Sequence, residues 1–166
     1  MRPPGIGVLS VEIGEITRDL AATIENALAD YPSHSVSLNV DSVGGDWNAS
    51  RRIFEAIVAH DKRVSAQIAK AYSGAALIVM AADRRVMPPH GTFFLHWPAG
   101  DTTQAYLADV AAKKAELIAS RCRVPTTRLL RLMRENSLLD AEQALHYGLV
   151  HAVPGMKSPS NVTVFL

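Results

Sequence analysis

The stretch from Gln67 to Met80 constrains the fold more than any other part of this chain. It begins with alternating apolar and polar residues, passes through small residues from Ala71 to Gly74, and ends in an apolar run. The alternation predicts a strand and the run predicts a buried helix, which puts Ser73 at a strand-to-helix turn. A serine there lies beside backbone N–H groups that lack helical partners, and such groups can stabilise an oxyanion. The alternative is that Ser73 only caps the helix.

Strands and helices alternate through the first half of the chain, and helices gather in the second. The hydrophobic patterns predict strands over 6–13, 35–40 and 63–69, with helices over 16–29 and 48–60 between them. After the Ser73 helix they predict short strands at 86–87 and 92–95, helices over 103–122, 125–135 and 141–146, and a last strand over 149–153. Asp101 or Thr102 is expected to cap the long helix. The order predicts an α/β fold in one domain spanning 1–166.

The composition is that of a water-soluble globular protein. The 166 residues are 48% apolar and 20% charged, with a formal net charge of +1. This charge argues against a nucleic-acid partner. No apolar run is long enough to cross a bilayer, and the amino terminus lacks a signal-peptide pattern, so we predict a cytoplasmic protein without a membrane partner.

Neither a cofactor nor a metal is expected. Gly44-Gly45 lacks the spacing of a dinucleotide-binding motif, and no phosphate-binding lysine follows it. The histidines lack metal-ligand spacing, and the single Cys122 is predicted to be a buried thiol.

Three loops are predicted to follow the carboxyl ends of strands, the edge where open α/β sheets form their sites. They carry Gly44-Gly45, Ser73-Gly74 and His96. Together they contain a hydroxyl nucleophile, an imidazole that can take its proton, and backbone N–H donors for a tetrahedral oxyanion. These are the groups that acyl transfer requires.

The chain resembles the ClpP-like serine peptidases of the ClpP/crotonase superfamily in four motifs that occur in the family's order. Residues 38–45 are similar to a strand followed by Ser-Pro-Gly-Gly, with Val43 in place of proline. Residues 71–83 are similar to the nucleophile turn and its helix, residues 94–98 to the segment of the catalytic histidine, and residues 139–150 to the family's closing stretch. The resemblance implies the ClpP/crotonase-type fold of repeated strand-helix units with a helical carboxyl-terminal region.

The resemblance also implies residue roles. Ser73 would be the nucleophile, His96 the general base, and the backbone N–H groups of Gly45 and Gly74 the oxyanion hole. The implied activity is that of a serine endopeptidase acting on peptides or unfolded proteins through an acyl-enzyme. The implied assembly is a homo-oligomeric ring.

The third member of the catalytic triad departs from the family. The acidic position falls on Asn136, directly after Glu135. Three explanations stay open, in this order: Asn136 orients the imidazole through its amide oxygen, Glu135 replaces it after a one-residue shift, or the enzyme is weak.

The region through which two rings of ClpP meet is also short. The glycine-rich strand expected after the histidine's proline is reduced to residues 99–101, which puts a double ring in doubt. The amino terminus lacks the family's axial-loop segment, so docking of an AAA+ ATPase is left open.

Two other functions are consistent with this superfamily. One is a catalytically degenerate ring or scaffold subunit, which is favoured by Asn136 at the acidic position and by the shortened region at residues 99–101. The other is a crotonase-type acyl-CoA enzyme, which the Ser73 and His96 pair disfavours. Lys113 and Lys114 could supply a Ser-Lys base, but we expect them to be solvated lysines on an amphipathic face, because His96 already fits the base.

Overall fold

Six strands and six helices lie within residues 6–157, the part of the chain that this computed structural model describes. The strands β1 to β6 are Val8–Ile13, Ser35–Ser42, Val64–Tyr72, Arg84–Val86, Thr92–Leu95 and Ser137–Asp140. The helices α1 to α6 are Arg18–Asp30, Trp47–Ala59, Gly74–Met80, Gln104–Ala119, Thr126–Arg134 and Ala141–His146.

Strand β3 organises the sheet and positions the turn that follows it. β1, β2 and β3 are parallel neighbours in that order. The other edge of β3 is shared, because residues 65–67 pair with β4 and residues 70–72 pair with β5, both in parallel. β6 closes the sheet by pairing antiparallel with β5. The carboxyl ends of β2, β3 and β5 therefore bring the three predicted loops to one region.

The core lies between the sheet and its helices. Val36, Leu38 and Val40 alternate along β2 as buried residues, and all seven residues of α3 are buried. A helix that is apolar on every side must be enclosed, and α3 packs against β3, α2 and α4. The turn that begins α3 is thus anchored by a rigid, fully packed element.

The structure confirms the α/β fold with strand-helix units followed by a helical region. The predicted strand over 149–153 is wrong, because the N–H groups of Leu149 and Val150 donate to Ala144 O and close helix α6. Only an isolated bridge joins Ala152 to Val86 there. Strand β6 was not predicted. Thr103, rather than Asp101 or Thr102, caps α4 by accepting a hydrogen bond from the Tyr106 N–H.

Within residues 6–157, every helix is too short or too polar to cross a lipid bilayer.

Candidate active site

Ser73 occupies a strained backbone conformation between β3 and α3. Its φ of 54° and ψ of −116° are those of a type II′ turn, which glycine normally adopts. The turn is held by a hydrogen bond from the Ser73 N–H to Phe94 O at 3.2 Å. Although Ser73 lies at the N-cap position, its hydroxyl makes no capping hydrogen bond. The capping explanation is therefore wrong. The strained turn presents a hydroxyl that has no hydrogen-bond partner among residues 6–157, as nucleophile turns between a strand and a helix do.

The two glycines after β2 allow the backbone to lie against this turn. A Cβ on Gly44, whose φ is 100°, would lie 2.8 Å from Ser73 Cβ. A Cβ on Gly45, whose φ is 154°, would lie 2.1 Å from Ile16 O. The Ile16 N–H donates to Gly44 O at 3.0 Å and fixes the loop from the other side. Side chains at either glycine would force these segments apart.

The N–H groups predicted to form an oxyanion hole are free to donate. Within residues 6–157, neither the Gly45 N–H nor the Gly74 N–H has an acceptor. Both residues line the same cavity as Ser73. Two unpaired donors beside a hydroxyl are the arrangement that stabilises an oxyanion.

His96 is half-buried, and its Nδ1 is 2.7 Å from Trp97 O. A carbonyl oxygen only accepts, so Nδ1 carries the proton and the neutral ring keeps a lone pair on Nε2. Burial lowers the pKa of His96 below its ordinary value, and the charge of Lys114 adds to this against the opposing effect of the Trp97 hydrogen bond. The ring is thus neutral at pH 7 in the tautomer that suits a general base. No hydrogen bond joins His96 to Ser73 within the described chain.

Asn136 makes no hydrogen bond to the imidazole within residues 6–157. Its side-chain Oδ1 accepts a hydrogen bond from the Trp97 N–H at 3.2 Å, while Trp97 O accepts the hydrogen bond from the imidazole Nδ1–H. Asn136 has a φ of 49°, and this left-handed residue turns the chain from α5 into β6. Glu135 is exposed at the end of α5. Asn136 and His96 are therefore both hydrogen-bonded to the main chain of Trp97, Asn136 at its N–H and His96 at its carbonyl.

A cavity of about 160 Å³ brings the predicted nucleophile, base and oxyanion donors together. Its lining residues are Gly45, Trp47, Ser73, Gly74, His96, Pro98, Ala99, Val110 and Lys114. A larger cavity of about 450 Å³ lies over the first three strands, but its lining contains no serine, histidine or lysine. The smaller cavity is the one with the groups for acyl transfer.

The prediction that Lys114 is a solvated lysine is wrong, because its side chain is buried beside the cavity. Lys113 is solvated and pairs with Glu116 at 3.8 Å, as expected, whereas Lys114 is only 4% exposed. Burial lowers the pKa of Lys114 to about 8. The signal was its spacing, because Lys114 follows Val110 by four residues and Leu107 by seven on the packing face of α4.

Residues 11–157 match the Clp protease family. The chain belongs to that family. It is 32% identical over 153 residues to ATP-dependent Clp protease proteolytic subunit 2 of Treponema pallidum, covering 82% of this chain and 77% of the relative. It is 26% identical over 135 residues to proteolytic subunit 1 of Corynebacterium glutamicum, covering 74% of this chain and 65% of the relative.

Among solved structures, this Clp protease family member is similar to ClpP1 from Listeria monocytogenes. The TM-score is 0.80 at 22% identity, and the match covers 89% of this chain and 92% of the other. An asparagine-to-aspartate mutant of the same ClpP1 also gives a TM-score of 0.80, at 22% identity, over 87% of this chain and 90% of the other. These likenesses establish the ClpP fold.

Proposed function

We propose that this Clp protease family member is a serine endopeptidase that hydrolyses peptides or unfolded proteins. The observation that carries the proposal is the strained Ser73 hydroxyl in one cavity with two free N–H donors and a neutral imidazole. The backbone strain costs on the order of 1–3 kcal/mol, and such strained residues cluster at active sites, which supports a catalytic role for this serine.

The reaction follows from these groups. His96 Nε2 accepts the Ser73 proton as Oγ attacks the substrate carbonyl carbon, and the Gly45 and Gly74 N–H groups receive the oxyanion. His96 then gives the proton to the leaving amine, which leaves an acyl-enzyme on Ser73. Water, deprotonated by His96, releases the carboxylic acid and restores the serine.

The carbonyl of Trp97 accepts the hydrogen bond from His96 Nδ1 that a triad carboxylate would otherwise accept. In a serine triad, aspartate-to-asparagine replacement lowers kcat about 10⁴-fold, chiefly through the wrong tautomer. Here the hydrogen bond to Trp97 O selects the productive tautomer, and Asn136 holds the main chain of the same residue by accepting from the Trp97 N–H. A carbonyl dipole stabilises the imidazolium less than a full charge does, so we expect a slower enzyme than one with a complete triad.

The second candidate is a catalytically degenerate ring subunit. It is favoured by the lack of a carboxylate at His96 and of a Ser73–His96 hydrogen bond within residues 6–157. Under the leading proposal, that bond forms when the cavity closes on substrate or when subunits of a homo-oligomeric ring assemble. An AAA+ ATPase partner and a cytoplasmic location belong to this proposal.

Intact mass after treatment with a fluorophosphonate separates the two candidates. We expect one adduct on the parent chain and none on Ser73→Ala or His96→Ala. The peptidase proposal fails if a folded, oligomeric parent forms no adduct, and it also fails if Ser73→Ala is labelled as fast as the parent.

A further inference from the structure

The cavity beside Ser73 contains a buried cation that the proposed chemistry does not use. Lys114 lies on the face of α4 that also carries Val110, and both residues line the cavity. No hydrogen bond joins the Lys114 amine to Ser73 or His96 within the described chain. His96 already presents a lone pair for the serine proton. Lys114 is therefore available for another partner.

No acidic residue compensates this charge within residues 6–157. On α4 itself, Asp109 is exposed and Glu116 pairs with Lys113. The elements packed against α4 are α3, which has no ionisable residue, and α5, which has three arginines and no acid. The other ionisable side chain that lines the cavity is His96, whose pKa the charge of Lys114 lowers. Burying an uncompensated charge costs several kcal/mol, which a bound anion would offset.

The shape of the cavity fits an amino-acid side chain with an apolar stem. Pro98, Ala99 and Val110 form apolar walls, and the volume of about 160 Å³ is small. Lys114 has a pKa of about 8, so most of the amine is protonated at pH 7. An apolar wall with a cationic group is complementary to a glutamate or aspartate side chain.

We propose that this cavity receives the side chain of the residue whose carbonyl Ser73 attacks, and that Lys114 selects a carboxylate there. This inference rests on the proposed peptidase function. Lys114 is then the specificity-determining residue, and the enzyme cleaves after acidic residues.

Matched peptide coumarin amides that differ only in the final residue test the selection. Glutamate and glutamine have the same shape, so the ratio of their kcat/KM values isolates the charge. We expect the parent to prefer glutamate at least tenfold at pH 7. Lys114→Met should bring the ratio to about one while cleavage after glutamine persists. Lys113→Met, which removes the solvated neighbouring amine, should keep the parent ratio.

The proposal is overturned if the parent cleaves after glutamine or leucine as well as after glutamate, or if Lys114→Met keeps the glutamate preference. Loss of all hydrolysis and of the fluorophosphonate adduct in a folded Lys114→Met protein would instead assign Lys114 to the chemistry. Lys114→Gln, which is polar and uncharged, serves as the second variant if Lys114→Met does not fold.

A binding experiment separates failure of this proposal from failure of the peptidase proposal. Acetylated peptide amides ending in glutamate or glutamine are titrated into Ser73→Ala protein by calorimetry. Tenfold tighter binding of the glutamate peptide, lost on adding Lys114→Met, supports the pocket even if the parent forms no adduct. Equal binding of the two peptides rejects the pocket even if the parent is labelled.

Discussion

Replacing Gly44 by alanine should damage the nucleophile turn more than the fold as a whole. The new Cβ would lie 2.8 Å from Ser73 Cβ and 2.9 Å from Tyr72 O. Carbon atoms normally approach to about 3.5–4.0 Å, so the turn must move by about 0.7 Å or more. A displacement of about 1 Å at a reacting group can cost about 100-fold in rate. We expect the rate of fluorophosphonate labelling to fall about 10- to 100-fold.

The stability cost of Gly44→Ala has two parts. A φ of 100° strains any residue with a side chain, at a cost on the order of 1–3 kcal/mol. The overlap with the turn adds about 1–3 kcal/mol, as overpacking usually does. At about 2–4 °C per kcal/mol for a chain of this size, Tm should fall by at least about 4 °C. Labelling is therefore measured well below the Tm of the variant and at matched protein concentration.

Gly148→Ala is the matched control. Gly148 also has a positive φ, of 70°, but a Cβ there would have no atom within 4 Å. The variant should lose about 1–2 kcal/mol through strain alone and label at the parent rate. If folded Gly44→Ala labels as fast as Gly148→Ala, the close contact of Gly44 with the turn does not position the nucleophile.

Three further predictions concern the base, its orientation and the fold. Because burial lowers the pKa of His96 below 6.5, the fluorophosphonate labelling rate should rise with pH through a midpoint below 6.5 and then level off. A midpoint above 7 would contradict a buried neutral base. Asn136→Gly keeps the positive φ but removes the acceptor for the Trp97 N–H. The labelling rate should fall about tenfold, the equivalent of one hydrogen bond, with Tm nearly unchanged. An unchanged labelling rate would exclude a positioning role for Asn136. Arg85→Met leaves three carbonyl oxygens without the hydrogen bonds that the buried guanidinium donates, so the free energy of unfolding measured by calorimetry should fall by about 3 kcal/mol or more. Arg84→Met, at an exposed position, should lower it little. Equal losses in the two variants would show that those bonds do not stabilise the fold.

The sequence was sufficient to predict the turn at Ser73 and the meeting of three loops. Hydrophobic period distinguishes strand from helix, and parallel strands bring their carboxyl ends to one edge. Four of the five predicted site residues, Ser73, His96, Gly45 and Gly74, accordingly line one cavity. The roles of these residues remain predictions.

The hydrogen-bond partner of His96 and the burial of Lys114 were not predicted in the same way. The acceptor at Nδ1 is a main-chain carbonyl, and every residue has one, so no side-chain pattern marks Trp97. A lysine on a helix is usually solvated, and only the packing of α4 against its neighbours makes Lys114 buried. The His96–Trp97 hydrogen bond is a local contact that no residue type marks, and the helical spacing of Lys114 from Leu107 and Val110 was the sequence signal for its burial.

The shared edge of β3 also has a consequence for the order of events in synthesis. The Ser73 turn touches the loop after β2 through Gly44 and is hydrogen-bonded to β5 through Phe94. Its strained angles are stable only when these distant segments are assembled. A nascent chain on the ribosome that has not yet released Phe94 therefore lacks the contact that holds the serine in place. Under the peptidase proposal, hydrolytic capacity arises only after the central sheet has folded, so an incomplete chain cannot attack its own unfolded segments.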